Sequence, residues 1–265
     1  MPFAHIGDVE IFFDETGSGE PLLMIQGLGY DHRPYAWLRE ILSRELRTIA
    51  HDNRGAGLSG KPEGDYTIDE IATDAVGLLD HLGIERASVM GVSLGGYVAQ
   101  TIAVGHPNRI SRLVLGCTFF SGNPERIRMP ASTLAILLER KGTAEEIARR
   151  GLGTAFSNRF PARRPDVFET LVRWRVESPI PLHGYMGQLK AGMAFDLEGS
   201  VGTIRTPTLV IHGDEDAVVP VDRGRELHAA IPGSRLEILP GAGHLFFIEE
   251  AERTASLVLG FVRGG

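Results

Sequence analysis

Ala87-Ser88-Val89-Met90-Gly91-Val92-Ser93-Leu94-Gly95-Gly96-Tyr97-Val98-Ala99-Gln100 reads as a short apolar strand that turns within a few residues into a helix, with a serine at the corner. Turning so tightly forces the corner residue into strained backbone, so the flanking Gly91 and Gly95 supply the steric room. The geometry lifts the Ser93 hydroxyl clear of the sheet edge. It also aims the first free amides of the following helix at whatever that hydroxyl attacks.

A serine hydroxyl is a weak nucleophile near neutral pH and needs a histidine base held by a carboxylate. Of nine histidines, His244 has the right setting. It follows the strand-like run Leu236-Glu237-Ile238-Leu239 on a Pro240-Gly241-Ala242-Gly243 loop that can fold over the sheet edge, and a helical pattern follows it. His81 and His228 sit in amphipathic helical patterns, and the remaining six lack such a loop. The acid belongs after the preceding strand, Thr208-Leu209-Val210-Ile211, where Asp214, Glu215 and Asp216 compete. Ala217-Val218-Val219-Pro220 buries the chain directly after Asp216, which suits a carboxylate facing an imidazole in a dry site. Asp214 and Glu215 are expected to bond loop amides or face water.

These motifs, with Asp52-Asn53-Arg54-Gly55-Ala56-Gly57-Leu58-Ser59 and Gln26-Gly27-Leu28-Gly29, make the chain similar to the α/β-hydrolase superfamily over essentially its whole length. Met1-Pro2-Phe3-Ala4 and Asp80-His81-Leu82-Gly83-Ile84-Glu85-Arg86-Ala87 add a resemblance to small bacterial esterases and 3-oxoadipate enol-lactonases. Similar segments recur in haloperoxidase-like enzymes and C–C bond hydrolases. Haloalkane dehalogenases and epoxide hydrolases carry aspartate where this chain has Ser93. The resemblance implies that the main-chain amides of Leu94 and Leu28 form an oxyanion hole. Gln26 stands where the family usually has histidine, and its amide is expected to bond neighbouring loop groups.

The α/β alternation predicts a mostly parallel sheet with helices on both faces and a ligand site at the carboxyl ends of the strands. Val9–Asp14 alternates like an antiparallel strand; Leu22–Ile25 and Arg47–Ala50 read as buried parallel strands. Thr67-Ile68-Asp69-Glu70 opens a helix with a capping box. The alternation stops from Gly122 to Phe195, so the expected organisation is a core over 1–121, a helical lid over 122–195 and the rest of the core over 196–265. On the last lid helix, Leu182, Tyr185, Met186, Leu189 and Met193 share a stripe that either docks the lid or lines an acyl pocket. Trp174, Met186 and Met193 are the candidate substrate contacts, under a lid expected to roof a compact apolar pocket.

The net charge of −7 and the absence of a Lys/Arg run exclude a nucleic-acid role. A single cysteine, Cys117, forbids an intrachain disulfide and reads as a buried small hydrophobe. No signal peptide or membrane-length apolar run is found, so a cytoplasmic protein with no membrane partner is expected. The residues predict cleavage of a small or medium ester or lactone through an acyl-enzyme, with no metal or organic cofactor; they do not specify an oligomeric state. Peroxide-dependent chemistry, C–C bond hydrolysis and a small-molecule receptor on the same fold are the alternatives.

Overall fold

The computed structural model describes residues 2–264; Met1 and Gly265, the outer ends of the expected core, lie outside the described residues. Among the described residues eight strands form one sheet: β1 (Phe3–Ile6), β2 (Val9–Thr16), β3 (Glu20–Ile25), β4 (Leu46–His51), β5 (Ala87–Val92), β6 (Ile110–Gly116), β7 (Thr208–Gly213) and β8 (Arg235–Leu239). Their order is β1-β2-β4-β3-β5-β6-β7-β8. The pairs β1–β2 and β2–β4 are antiparallel, and every later pair is parallel. The edge strand β1 has no counterpart in the sequence reading, because four residues carry too little pattern to register.

The apolar runs of the central strands are continuous because both faces of the sheet are covered. Leu23 and Ile25 of β3, Val89 of β5, and Leu113 and Leu115 of β6 enter one core, with the helices Ile68–His81 and Leu94–Gly105. Leu22 and Met24, Met90 and Val92, and Val114 enter the other, with the helices Ala36–Leu42 and Ala251–Val262. Side-chain alternation of period two thus feeds two cores from the same strands. The Thr67 capping box forms as expected, its Oγ1 accepting from Glu70 N–H and the Glu70 carboxylate from Thr67 N–H.

Between β6 and β7 the chain leaves the sheet for six helices among the described residues: Pro124–Ile127, Ala131–Leu138, Ala144–Ala155, Phe160–Arg163, Pro165–Glu177 and Leu182–Ala194. The excursion is pinned at its base by the Ser121–Asp196 bridge and by Gly122 N–H donating to Phe195 C=O at 2.8 Å. Ala148, Leu152, Phe168 and Leu171 join the second core beside Phe246 and Phe247. Among the described residues no helix is long and apolar enough to cross a membrane.

Candidate active site

The winding order reverses between β3 and β5, and the loops leaving the carboxyl ends of β3, β5, β7 and β8 meet over that crevice. Ser93 follows β5 with φ 56° and ψ −121°, a conformation that costs an L-residue on the order of 1–3 kcal/mol. A Cβ on Gly91 would lie 2.1 Å from Gly95 C=O, and one on Gly95 would lie 2.1 Å from Ile25 C=O. The two glycines therefore let the strand, the turn and the neighbouring strand close on one another. Ser93 N–H is tied to Gly116 C=O at 2.9 Å, and its C=O accepts from Thr118 Oγ1 at 2.9 Å. The turn is thereby fastened to the end of β6.

Of the three competing carboxylates, Asp216 is the one beside His244. Its Oδ2 lies 2.8 Å from His244 Nδ1, and its Oδ1 accepts from the N–H groups of Val218 at 2.7 Å and Val219 at 2.9 Å. Burial works to raise the Asp216 carboxyl, but the charge of His244 and hydrogen bonds from His212 and His244 outweigh it. The group is held well below the usual carboxylate range. Asp214 Oδ1 instead accepts from Gly241 N–H at 2.6 Å, and Glu215 pairs with Arg159 at the surface.

Ser93, His244, Leu28 and Leu94 line one cavity. The main-chain N–H groups of Leu28 and Leu94 have no acceptor among the described residues. Two unsatisfied donors beside a hydroxyl are an arrangement that can hold a developing oxyanion.

The structure adds residues that the sequence reading passed over. His212 ends the apolar run of β7 and is fully buried. Its Nε2 lies 2.8 Å from Val219 C=O and 3.4 Å from Asp216 Oδ2. A histidine closing an apolar strand-like run four residues before the acid is the available sequence signal. Glu249 accepts from Gly243 N–H, Ser157 N–H and Ser157 Oγ, clamping the His244 loop to the excursion. The Asp52-Asn53-Arg54 motif is scaffolding. Asp52 accepts from His32 and Leu58 N–H, Asn53 Nδ2 donates to Gln26 C=O at 3.0 Å, and Arg54 grips Asp74 of the helix Ile68–His81 at 2.6 and 2.7 Å.

Gln26 does not brace its loop through its side chain, contrary to the sequence expectation: its Oε1 and Nε2 are buried without a partner. Gln188 does so instead, accepting from Gly29 N–H at 2.9 Å and donating to Arg54 C=O at 2.9 Å. It can reach because the helix Leu182–Ala194 docks backbone against backbone. A Cβ on Gly184 would lie 2.3 Å from Gly55 C=O, and one on Gly122 would lie 1.6 Å from Gly192 C=O. The inward face of this helix thus includes Gly184, Gln188, Ala191 and Gly192.

The apolar stripe splits accordingly. Tyr185, Leu189 and Met193 line the Ser93 cavity, whereas Leu182 is 60% exposed. Met186 lies outside the cavity lining, one turn along the same outer flank as Leu182 and Lys190. Trp174 is also displaced from the expected place. It packs on Trp37 with ring centroids 5.4 Å apart and lines an adjoining cavity with Tyr30 and Tyr185 rather than the one holding Ser93. The partner ring on the body of the protein draws the indole to that side. Cys117 is buried as expected but has φ 43° and stands beside the acid and base, with donor atoms of Cys117, Asp216 and His244 all within 4.8 Å. Burial, then the Asp216 charge, pushes its thiol up, so it is neutral there.

A sequence profile of the alpha/beta hydrolase fold matches residues 20–251. The 2-hydroxymuconate semialdehyde hydrolase of Pseudomonas sp. (strain CF600) is 32% identical, the alignment covering 94% of this chain and 88% of that protein. Among solved structures, the enol-lactonase from Burkholderia xenovorans LB400 superposes with a TM-score of 0.88 at 30% identity, covering 99% of this chain and 100% of that one. A thermophilic esterase from Thermogutta terrifontis superposes at 0.84 with 28% identity, covering 98% and 95%.

Proposed function

The chain belongs to the α/β-hydrolase fold family, and from that premise we propose that it is a serine hydrolase cleaving small or medium carboxylic esters or lactones through an acyl-enzyme. The observation that carries this reading is His244, held 2.8 Å from the buried Asp216 and lining the same cavity as the strained Ser93 turn. Asp216 accepts the Nδ1 proton of His244 and so leaves the Nε2 lone pair free. Nε2 takes the Ser93 proton as Oγ attacks the substrate carbonyl. Negative charge gathers on the carbonyl oxygen, and the Leu28 and Leu94 N–H groups receive it. His244 then returns its proton to the leaving oxygen. Water, deprotonated by the same imidazole, releases the acid and restores Ser93 Oγ–H.

His212 is a positioning residue in this scheme: its Nε2–H donates to Val219 C=O, holding the turn whose Val218 and Val219 N–H groups cradle Asp216 Oδ1, and the ring stands 3.4 Å from Asp216 Oδ2. The helices over 122–195 act as a lid, contributing Ile127, Leu134, Tyr185 and Leu189 to the cavity wall. A fluorophosphonate probe and a panel of 4-nitrophenyl esters from acetate to decanoate, run beside simple lactones, test the proposal. Native protein is expected to take up the probe and to turn over at least one substrate. Ser93→Ala is expected to lose labelling and to retain less than about a thousandth of the rate, the usual consequence of removing such a nucleophile. Turnover in Ser93→Ala above a tenth of native would overturn it.

A further inference from the structure

The cavity above Ser93 carries two arginines in a mostly apolar wall. Arg140 follows the helix Ala131–Leu138, and Arg175 lies in the helix Pro165–Glu177; both line the Ser93 cavity and the adjoining one, and so stand in the partition between them. Each guanidinium lies over a tyrosine ring, Arg140 at 4.2 Å from the centroid of Tyr185 and Arg175 at 3.9 Å from that of Tyr30. Both side chains are half-buried.

Other half-buried or buried arginines that meet an enclosed part of the fold, such as Arg33, Arg54, Arg126 and Arg223, have a carboxylate within ion-pair distance. Among the described residues Arg140 and Arg175 have none, and Arg175 Nε is buried without a hydrogen-bond partner. Burial pulls the Arg140 pKa down, Tyr185 works against that, and the charges of Arg175 and Arg150 add smaller downward pulls. The Tyr185 ring and hydroxyl offset part of the cost at Arg140, and the Tyr30 ring does so at Arg175, but an aromatic face leaves Arg175 Nε without an acceptor. Paired, partly desolvated cations in the wall of a cavity are stabilised when an anion enters between them.

We propose that Arg140 and Arg175 form a carboxylate-binding subsite of the Ser93 cavity, so that the preferred substrate is an ester or lactone carrying a free carboxylate at the end remote from the scissile bond. This rests on the serine-hydrolase reading above. Guanidinium forks match carboxylate geometry through paired N–H donors, and the apolar residues that share the cavity with them and Ser93, including Leu134 and Leu189, suit an aliphatic spacer.

The test compares 4-nitrophenyl half-esters of C5 to C8 dicarboxylic acids with neutral 4-nitrophenyl esters of the same chain length. In native protein the ratio of kcat/KM, half-ester over neutral ester, is expected to reach at least tenfold at one length. Arg140→Gln and Arg175→Gln should each bring that ratio close to one, chiefly through KM, and Arg175→Lys should recover part of it. The ratio cancels any loss of folded protein. If either glutamine variant cannot be obtained folded, competitive inhibition of native protein by the free dicarboxylates, weakened at least tenfold in the other variant, reads the same subsite. A native ratio at or below one at every length, with neutral esters hydrolysed in a Ser93-dependent manner, would overturn the subsite alone. So would an unchanged ratio in folded Arg175→Gln. Failure of all esters together with failure of fluorophosphonate labelling would overturn both this subsite and the hydrolase reading.

Discussion

Asp216→Asn separates the three clustered acids most sharply, because every group around the native carboxylate is a donor or can become one. Oδ1 accepts from two main-chain amides, and Oδ2 faces His244 Nδ1 at 2.8 Å and His212 Nε2 at 3.4 Å. A carboxamide must turn its NH2 group towards one side or the other. Towards Val218 and Val219 it leaves buried N–H groups unsatisfied, at about 1–3 kcal/mol each. Towards His244 it makes Nδ1 an acceptor, moves the ring proton to Nε2, and removes the lone pair that would take the Ser93 proton. The second arrangement folds at lower cost, so the variant is expected to stay folded and to lose about 10⁴-fold in kcat, roughly 5 kcal/mol in activation free energy. Asp214→Asn loses charge at a loop contact with Gly241, and Glu215→Gln breaks a surface ion pair worth about 0–1 kcal/mol. Each should keep activity within tenfold of native. Measuring kcat and KM with 4-nitrophenyl butyrate, with circular dichroism and Tm as folding controls, decides the matter. Asp216→Asn within tenfold of native, or a folded Asp214→Asn variant a thousandfold slower, would refute the reasoning.

Gln188→Ala removes the acceptor of Gly29 N–H and the donor to Arg54 C=O together, so kcat/KM is expected to fall at least tenfold and Tm to drop by several degrees. An unchanged kcat/KM would mean the Gly27-Leu28-Gly29 loop holds itself. Acid stability should report on His51, whose pKa burial pushes down to about 4 against the opposing pull of Asp52. Unfolded chains bind that proton near pH 6.5 and the folded protein only near pH 4. Its contribution is therefore complete above pH 6.5 and is lost as pH falls towards 4, by about 3 kcal/mol. Urea unfolding between pH 7 and 4.5 should show a shallower decline in His51→Gln than in native protein; equal slopes would remove His51 from the acid limb.

The elements that could be read in the chain are those whose signal is local. Gly91-Val92-Ser93-Leu94-Gly95 fixes a strand, a tight turn and a helix at once, because only glycine tolerates the close approaches on either side of the serine. Apolar runs mark β3, β4, β5 and β7, since strands buried on both faces have no polar side to show. The Pro220-terminated loop singled out Asp216 by its apolar sequel, and the tertiary structure placed that residue against His244. Tertiary structure alone decided how the helix Leu182–Ala194 faces the body. Its apolar stripe pointed to Met186, yet the surface that docks includes glycines and Gln188, because close packing of backbone on backbone outweighs side-chain burial there. The bracing by Gln188 and the presence of Arg140 and Arg175 in one cavity wall join residues far apart in the chain, and the place of His212 beside Asp216 is hidden in the apolar run of its own strand. Trp174 took its place from Trp37, more than a hundred residues upstream, a pairing that no local pattern encodes.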